Sequence, residues 1–147
     1  MALIIQVPQN TTYLMVTGAI DWNSDTFKLI LCTDFIFDID TDIGYADISS
    51  YELGDGFGYT NGGHILAGDP VFIDNGNNDS RQAFDKLTIT ASGGDIGPFQ
   101  KMMVYDDTAT GNPIIVCFTY SSETTITDGG KIDFENIIAR FETPDSL

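Results

Sequence analysis

Several stretches carry residue types that do chemistry in other proteins. Asp38-Ile39-Asp40-Thr41-Asp42-Ile43-Gly44 alternates carboxylates as a calcium loop does. The EF-hand form of that loop needs glycine at its sixth position and an acidic residue at its twelfth. Counted from Asp38, those positions hold Ile43 and Ser49. Two readings follow, an irregular cation site on Asp38, Asp40 and Asp42 or three solvated loop carboxylates, and the second is the simpler. The same choice applies to Asp74, Asn77 and Asp79. His64, the single histidine, stands in Asn61-Gly62-Gly63-His64-Ile65-Leu66. Catalytic zinc requires further histidines or a cysteine cluster. A histidine base requires a positioned nucleophile, and no G-x-S-x-G elbow is present. Gly54-Asp55-Gly56-Phe57-Gly58 alternates glycines but meets no helix, so it lacks the helix N-terminal amides that hold phosphate and reads as an inter-strand loop.

Cys32 and Cys117 each sit in an apolar run, Leu29–Cys32 and Ile114–Phe118. Both read as small buried hydrophobes. A cross-strand disulfide and a spatially adjacent Cys–His pair are left open by sequence. In a chain with 22 Asp and Glu residues, residue type alone singles out no glycosidase pair of carboxylates. Trp22, Tyr45, Tyr51 and Tyr59 are candidates for stacking on sugar rings, although most aromatics serve packing. The residues therefore assign no catalytic, cofactor-binding or metal-binding set and imply no cofactor. The chain is expected not to be an enzyme.

The elements that would position these residues are mostly strands. Short β-prone runs punctuated by Gly, Asn and Asp predict strands at Ala2–Gln6, Phe27–Cys32, Ile48–Leu53, Val71–Asp74, Arg81–Thr90, Phe99–Tyr105, Pro113–Tyr120 and Lys131–Ala139. Leu87–Thr90 and Lys131–Glu135 alternate with the period of a half-buried strand. Ile114–Phe118 is apolar at every position, as a strand covered on both faces would be. Asp106–Asn112, Asp128-Gly129-Gly130 and Asn75–Asp79 supply turn chemistry. One short helix is predicted over Thr11–Thr17, capped by Asn10 and stopped by Gly18. This pattern predicts an all-β fold, a two-sheet antiparallel sandwich of jelly-roll type with one short N-terminal helix. The 147 residues form a single domain, 1–147, with a tail at Glu142–Leu147 that frays or reaches toward a neighbour.

Charge excludes further classes. The 22 acidic residues face only 6 basic ones, for a net charge of −16. Such a surface repels phosphate backbones and anionic headgroups, so neither nucleic acid nor membrane is an expected partner. A 42% hydrophobic fraction is too rich for a disordered chain. No apolar run approaches the ~20 residues of a membrane span, and Met1–Ile5 lacks the basic start of a secretory signal.

Several phrases then recur in a familiar order. Gly18-Ala19-Ile20-Asp21-Trp22-Asn23-Ser24-Asp25-Thr26-Phe27-Lys28 follows a G-x-I-D-x-x-x-D-T-x-K pattern. Tyr45-Ala46-Asp47-Ile48-Ser49, Tyr51-Glu52 and Gly58-Tyr59-Thr60-Asn61-Gly62-Gly63 come next. Ala83-Phe84-Asp85, Met103–Ile115 and Gly129–Phe134 complete the order. From Gly18 to Phe134 the chain resembles small virion structural proteins of tailed bacteriophages, the head-decoration and tail-associated β-sandwich proteins. That resemblance implies a non-enzymatic part of the virion, assembled in the bacterial host cytoplasm. Its foremost expected role is capsid decoration or cement, bound to the major capsid protein as a homo-oligomer, a trimer suiting local threefold positions. A neck, tail or baseplate adaptor is the alternative, and a lectin-like glycan-binding module is the alternative of another class. The resemblance carries no active-site residues to this chain.

Overall fold

The computed structural model describes the backbone of residues 3–68, 72–74 and 79–142 and the side chains of residues 3–68 and 83–137. In chain order the elements are β1 (Leu3–Gln6), α1 (Gln9–Val16), β2 (Phe27–Cys32), α2 (Tyr45–Ile48), β3 (His64–Leu66), β4 (Phe72–Asp74), β5 (Asp79–Ala83), β6 (Leu87–Thr90), β7 (Ile96–Asp106), β8 (Ile114–Ile126), β9 (Lys131–Phe134) and β10 (Ile138–Glu142). Every described pairing between these strands is antiparallel. The strands form a five-stranded sheet in the order β1-β8-β7-β2-β3, a three-stranded sheet β10-β5-β4 and a two-stranded ribbon β6-β9. The mostly β, antiparallel class expected from sequence is therefore what the chain adopts.

The five-stranded sheet is the centre, and its middle strands bury both faces. Along β2, Phe27, Leu29 and Leu31 point one way and Ile30 and Cys32 the other, all nearly inaccessible to water. The first face packs with Ile89 and Phe134 of the β6-β9 ribbon, with Tyr59 and Phe84, and with Leu14 and Met15 of α1. On the second face Met103, Tyr105, Ile114 and Cys117 meet Phe37 and Ile48 from the long connection after β2. The unbroken apolar run on β8 follows from this arrangement. Val104 pairs with Val116 while Tyr105 pairs with Ile114, so Ile115 is an extra residue at a bulge. The bulge turns both Ile115 and Val116 toward the first face, whereas Ile114 and Cys117 serve the second.

Several sequence boundaries need correction. The strand expected at Ile48–Leu53 is instead α2 followed by a 3-10 turn at Ser49–Tyr51. Asp47 accepts the backbone N–H of Gly44 at 2.9 Å and of Ile43 at 3.2 Å, which starts a helical turn. That turn drops Ile48 into the second core. Only Glu52 beyond it still bridges to Cys32. The strand expected at Arg81–Thr90 is two, β5 and β6: Phe84 buries its ring in the core while its N–H still binds the Ile137 carbonyl at 3.0 Å, and Asp85 N–H then turns to the Ala67 carbonyl at 2.7 Å. Lys131–Ala139 likewise divides into β9 and β10 at Asn136, whose φ is 60°. β3, three residues just after the Asn61-Gly62 turn, carries too little pattern to be read from sequence.

The helix exists but begins at Gln9 behind Pro8, and Asn10 lies inside its first turn instead of capping it. Proline fixes φ at a helix entry, and the helix is secured by a tertiary contact: buried Thr11 donates its hydroxyl to the Ile114 carbonyl at 2.7 Å. Gly18 does mark the stop, with φ +78°. Gly63 is required for a different reason. Its φ is +95°, and a Cβ there would lie 2.7 Å from the Leu29 carbonyl oxygen, where β3 closes on β2. Expectations placed on Ala2, Val71, Asn75–Asn78 and the tail beyond Glu142 fall outside the described residues, as do the side chains of Asp74 and Asp79.

Candidate interaction surface

β1 is an end strand of the central sheet and pairs, among the described strands, only with β8. Leu3 lies opposite Tyr120 and Ile5 opposite Phe118, so these side chains share the first face. Toward this end the face is less deeply buried, and Leu3 and Ile5 stay exposed. A cleft of about 640 Å³ opens there, lined by Leu3, Ile5, Val7, Met15, Phe118 and Tyr120, by Trp22, Phe84 and Phe134, and by the carboxylate-bearing Asp133 and Glu135 among others. The volume falls in the range of ligand pockets, roughly 300–1,000 Å³. Leu3, Ile4, Ile5 and Val7 stay 45–60% exposed, and on α1 Tyr13 and Val16 reach 68% and 82%.

Charge is distributed to suit this exposure. Residues 1–20 contain no Asp, Glu, Lys, Arg or His, and neither do residues 111–122, although the whole chain carries −16. β1, α1 and the first two-thirds of β8 come from those two stretches. Both intervals were visible in the sequence, but their meeting was not, because β1 and β8 are more than a hundred residues apart.

The polar residues singled out from sequence have other employment. In the Asp38 loop, Asp38 accepts Asp40 N–H at 2.9 Å and Asp42 accepts Asp38 N–H at 2.8 Å. Asp40 accepts the Gln9 side-chain amide. These carboxylates shape their own turn and tether it to α1. Among the described residues no group of three or more His, Cys, Asp or Glu is placed to hold a metal ion. Cys32 and Cys117 are free and buried on the second face. Burial holds both thiols up, that of Cys117 to about 11, so neither is a ready nucleophile at neutral pH. Gly54–Gly58 closes as a tight turn, with Gly56 and Tyr59 exchanging backbone hydrogen bonds at 3.0 Å.

Of the four aromatic candidates, Trp22 stacks on Phe27 at 4.8 Å and Tyr45 on Tyr105 at 4.7 Å. Tyr59 is buried. Tyr51 is partly exposed, but one face of its ring is taken by Phe35 at 4.1 Å.

Sequence gave no hint of the densest polar convergence, which centres on Glu52. Its carboxylate accepts the hydroxyls of Tyr45 at 2.5 Å and Tyr59 at 2.7 Å and the N–H of Gly62 at 2.7 Å. Tyr59 in turn accepts Leu31 N–H at 3.0 Å, and Tyr105 donates to the Gly62 carbonyl at 2.5 Å. Burial and the Glu52 charge hold both Tyr45 and Tyr59 well above the usual phenol range. His64 lies against Tyr59 at 5.4 Å between ring centres. Burial draws its pKa down, so its neutral Nε2 accepts Thr60 N–H at 3.4 Å. A carboxylate, a histidine and tyrosines thus meet, but each is occupied by an internal partner. The cluster staples the 52–64 loop to β2 and α2.

A second carboxylate is under tension. Asp106 is wholly buried at the end of β7, and its Oδ1 accepts Thr108 and Ala109 N–H at 2.8 and 3.0 Å, turning the chain toward β8. Its Oδ2 meets no donor among the described residues. Burial pushes its carboxyl up to about 6, and the charge of the neighbouring Asp25 carboxylate adds to the rise.

Comparison with protein-family models, curated proteins and solved structures finds no match to this chain. The surface is accordingly read from its own chemistry.

Two outcomes are expected. Glu52→Ala strands three donors in a partly buried site and should destabilise the fold by roughly 2–4 kcal/mol, measured by urea unfolding; a loss below about 0.5 kcal/mol, the level of an ordinary surface change, would remove the staple. Asp106 holds its proton more tightly folded than unfolded. Its stabilising share is therefore complete below the ordinary value of 3.8 and is lost as pH rises through about 6. Stability should fall across that window by on the order of 2 kcal/mol from this group. Asp25→Asn, which offers Asp106 an amide donor, should flatten that part of the profile, and an unchanged slope would separate the two carboxyls.

Proposed function

We propose that this chain is a non-enzymatic structural component of a bacteriophage virion, acting as a capsid decoration or cement protein that binds the head shell as an oligomer. One observation supports the reading above others: the exposed apolar surface of β1, β8 and α1 is assembled from uncharged stretches of a strongly acidic chain. Such a surface is suited to covering and joining protein surfaces. The remaining −16 charge keeps unassembled subunits apart and soluble.

The titratable groups favour the same reading. Glu52, His64, the cysteines and the Asp38 loop are each engaged in holding this fold, and no substrate-facing acid–base pair is left among them. The facing of the five-stranded sheet and the β6-β9 ribbon across the first core supports the two-layer, jelly-roll-like sandwich as part of this proposal. The mechanism is mechanical. Buried contact area across boundaries between major capsid subunits raises the work needed to open the shell, with no chemical step.

The test is performed on intact particles. Removal of the protein should lower the temperature or osmotic shock at which particles rupture, and re-addition should restore it. Rupture that is indifferent to the protein refutes cementing. Copy number decides between sites: hundreds per particle fit decoration of the shell, whereas about a dozen or fewer would transfer the role to a neck, tail or baseplate adaptor.

A further inference from the structure

We infer that the open edge of β1 is a self-association site, where β1 of a second copy adds antiparallel and continues the five-stranded sheet across a twofold axis. This deepens the oligomer part of the reading above, and it is tested on free protein so that its failure leaves the particle role standing.

Three observations carry it. β1 has β8 on one side and no described strand on the other, so a row of backbone donors and acceptors is presented outward. Natural edges are usually blunted by lysine, proline or an inward charge. Here the strand reads Leu3-Ile4-Ile5-Gln6, with three aliphatic side chains at least 45% exposed. The cleft beneath the strand lacks a wall on that same side, since Leu3, Ile5 and Val7 line it while remaining exposed. An added strand would set alternate side chains over this rim, because residues of like parity share a sheet face.

Charge identifies the occupant. Two chains of net charge −16 repel one another over most approaches, and the repulsion is least where both surfaces carry no charge. Residues 1–20 and 111–122, which supply β1, α1 and most of β8, carry no charge, and a copy of this chain brings a matching edge; Asp133 and Glu135 are the charged side chains that line the cleft beneath it. A basic partner would instead find its complement among the 22 acidic residues elsewhere. An antiparallel strand pair is self-complementary under twofold rotation, the geometry of an isologous dimer. Edge pairing therefore gives even-numbered assemblies and a dimer as the unit, in place of the threefold number that the resemblance suggests.

The experiment measures the mass of the full chain by sedimentation velocity over a concentration series, at low and at high salt. A dimer is expected that tightens with added salt, because screening weakens the repulsion of like charges. Ile4→Asp, a change at a 60% exposed position, should abolish the dimer while leaving circular dichroism and the unfolding midpoint unchanged. Hydrogen exchange on the wild type supplies a second measurement free of any mutation. The amides of Leu3–Gln6 that point away from β8 should exchange slowly when concentrated and quickly on dilution. A wild type that stays monomeric at high concentration overturns the inference. So does a trimer, a dimer that Ile4→Asp leaves intact, or exchange at β1 that ignores concentration.

Discussion

The molecule is organised around a sheet that must be covered twice. β2, β7 and β8 carry apolar side chains on both faces, so no arrangement of these three strands alone can satisfy them in water. One face takes the β6-β9 ribbon and α1, and the other takes the connection containing Phe37 and Ile48. The remaining elements are consequences of that demand. α2 exists to deliver Ile48, the Glu52 cluster fastens the loop that follows, and Thr11 pins α1 to the Ile114 carbonyl. Among the described residues this coverage thins toward β1, where the cleft opens.

Polar chemistry is subordinate to the same demand. Asp47, Asp38, Asp106 and Glu52 each accept backbone N–H groups in turns that route the chain around the sheet. A chain so rich in carboxylates could be expected to use them for solubility alone, yet many act as local caps. Their role as backbone acceptors explains why carboxylates at suggestive spacings, such as those at 38, 40 and 42, do not converge on an external ligand.

Sequence was legible where pattern is local. β1, β2, β6, β9 and the β7-β8 hairpin follow from alternation or apolar runs flanked by turn residues; of the apolar run Ile114–Phe118, Ile114, Ile115 and Cys117 are buried while Val116 and Phe118 are half-buried. Legibility failed where tertiary contacts decided. Ile48 and Tyr51 look β-prone, but Asp47 and the second core wind them into helical turns. Phe84 and Asn136 break runs that composition would continue. The Glu52 cluster joins residues whose spacing has no motif, since its partners are chosen by how the loop folds back. The outer edge of β1, which no described strand pairs, depends on sheet order, which no short-range pattern encodes.

Trp22 gives the cleft an optical handle. It is the chain's single tryptophan, stacked on Phe27 and lining the cavity. An indole in that position changes its emission when its surroundings dry or fill, and no second indole dilutes the signal. The natural protein thus carries a built-in fluorophore at the boundary between its finished core and its unfinished side, so occupancy there can be followed without any label.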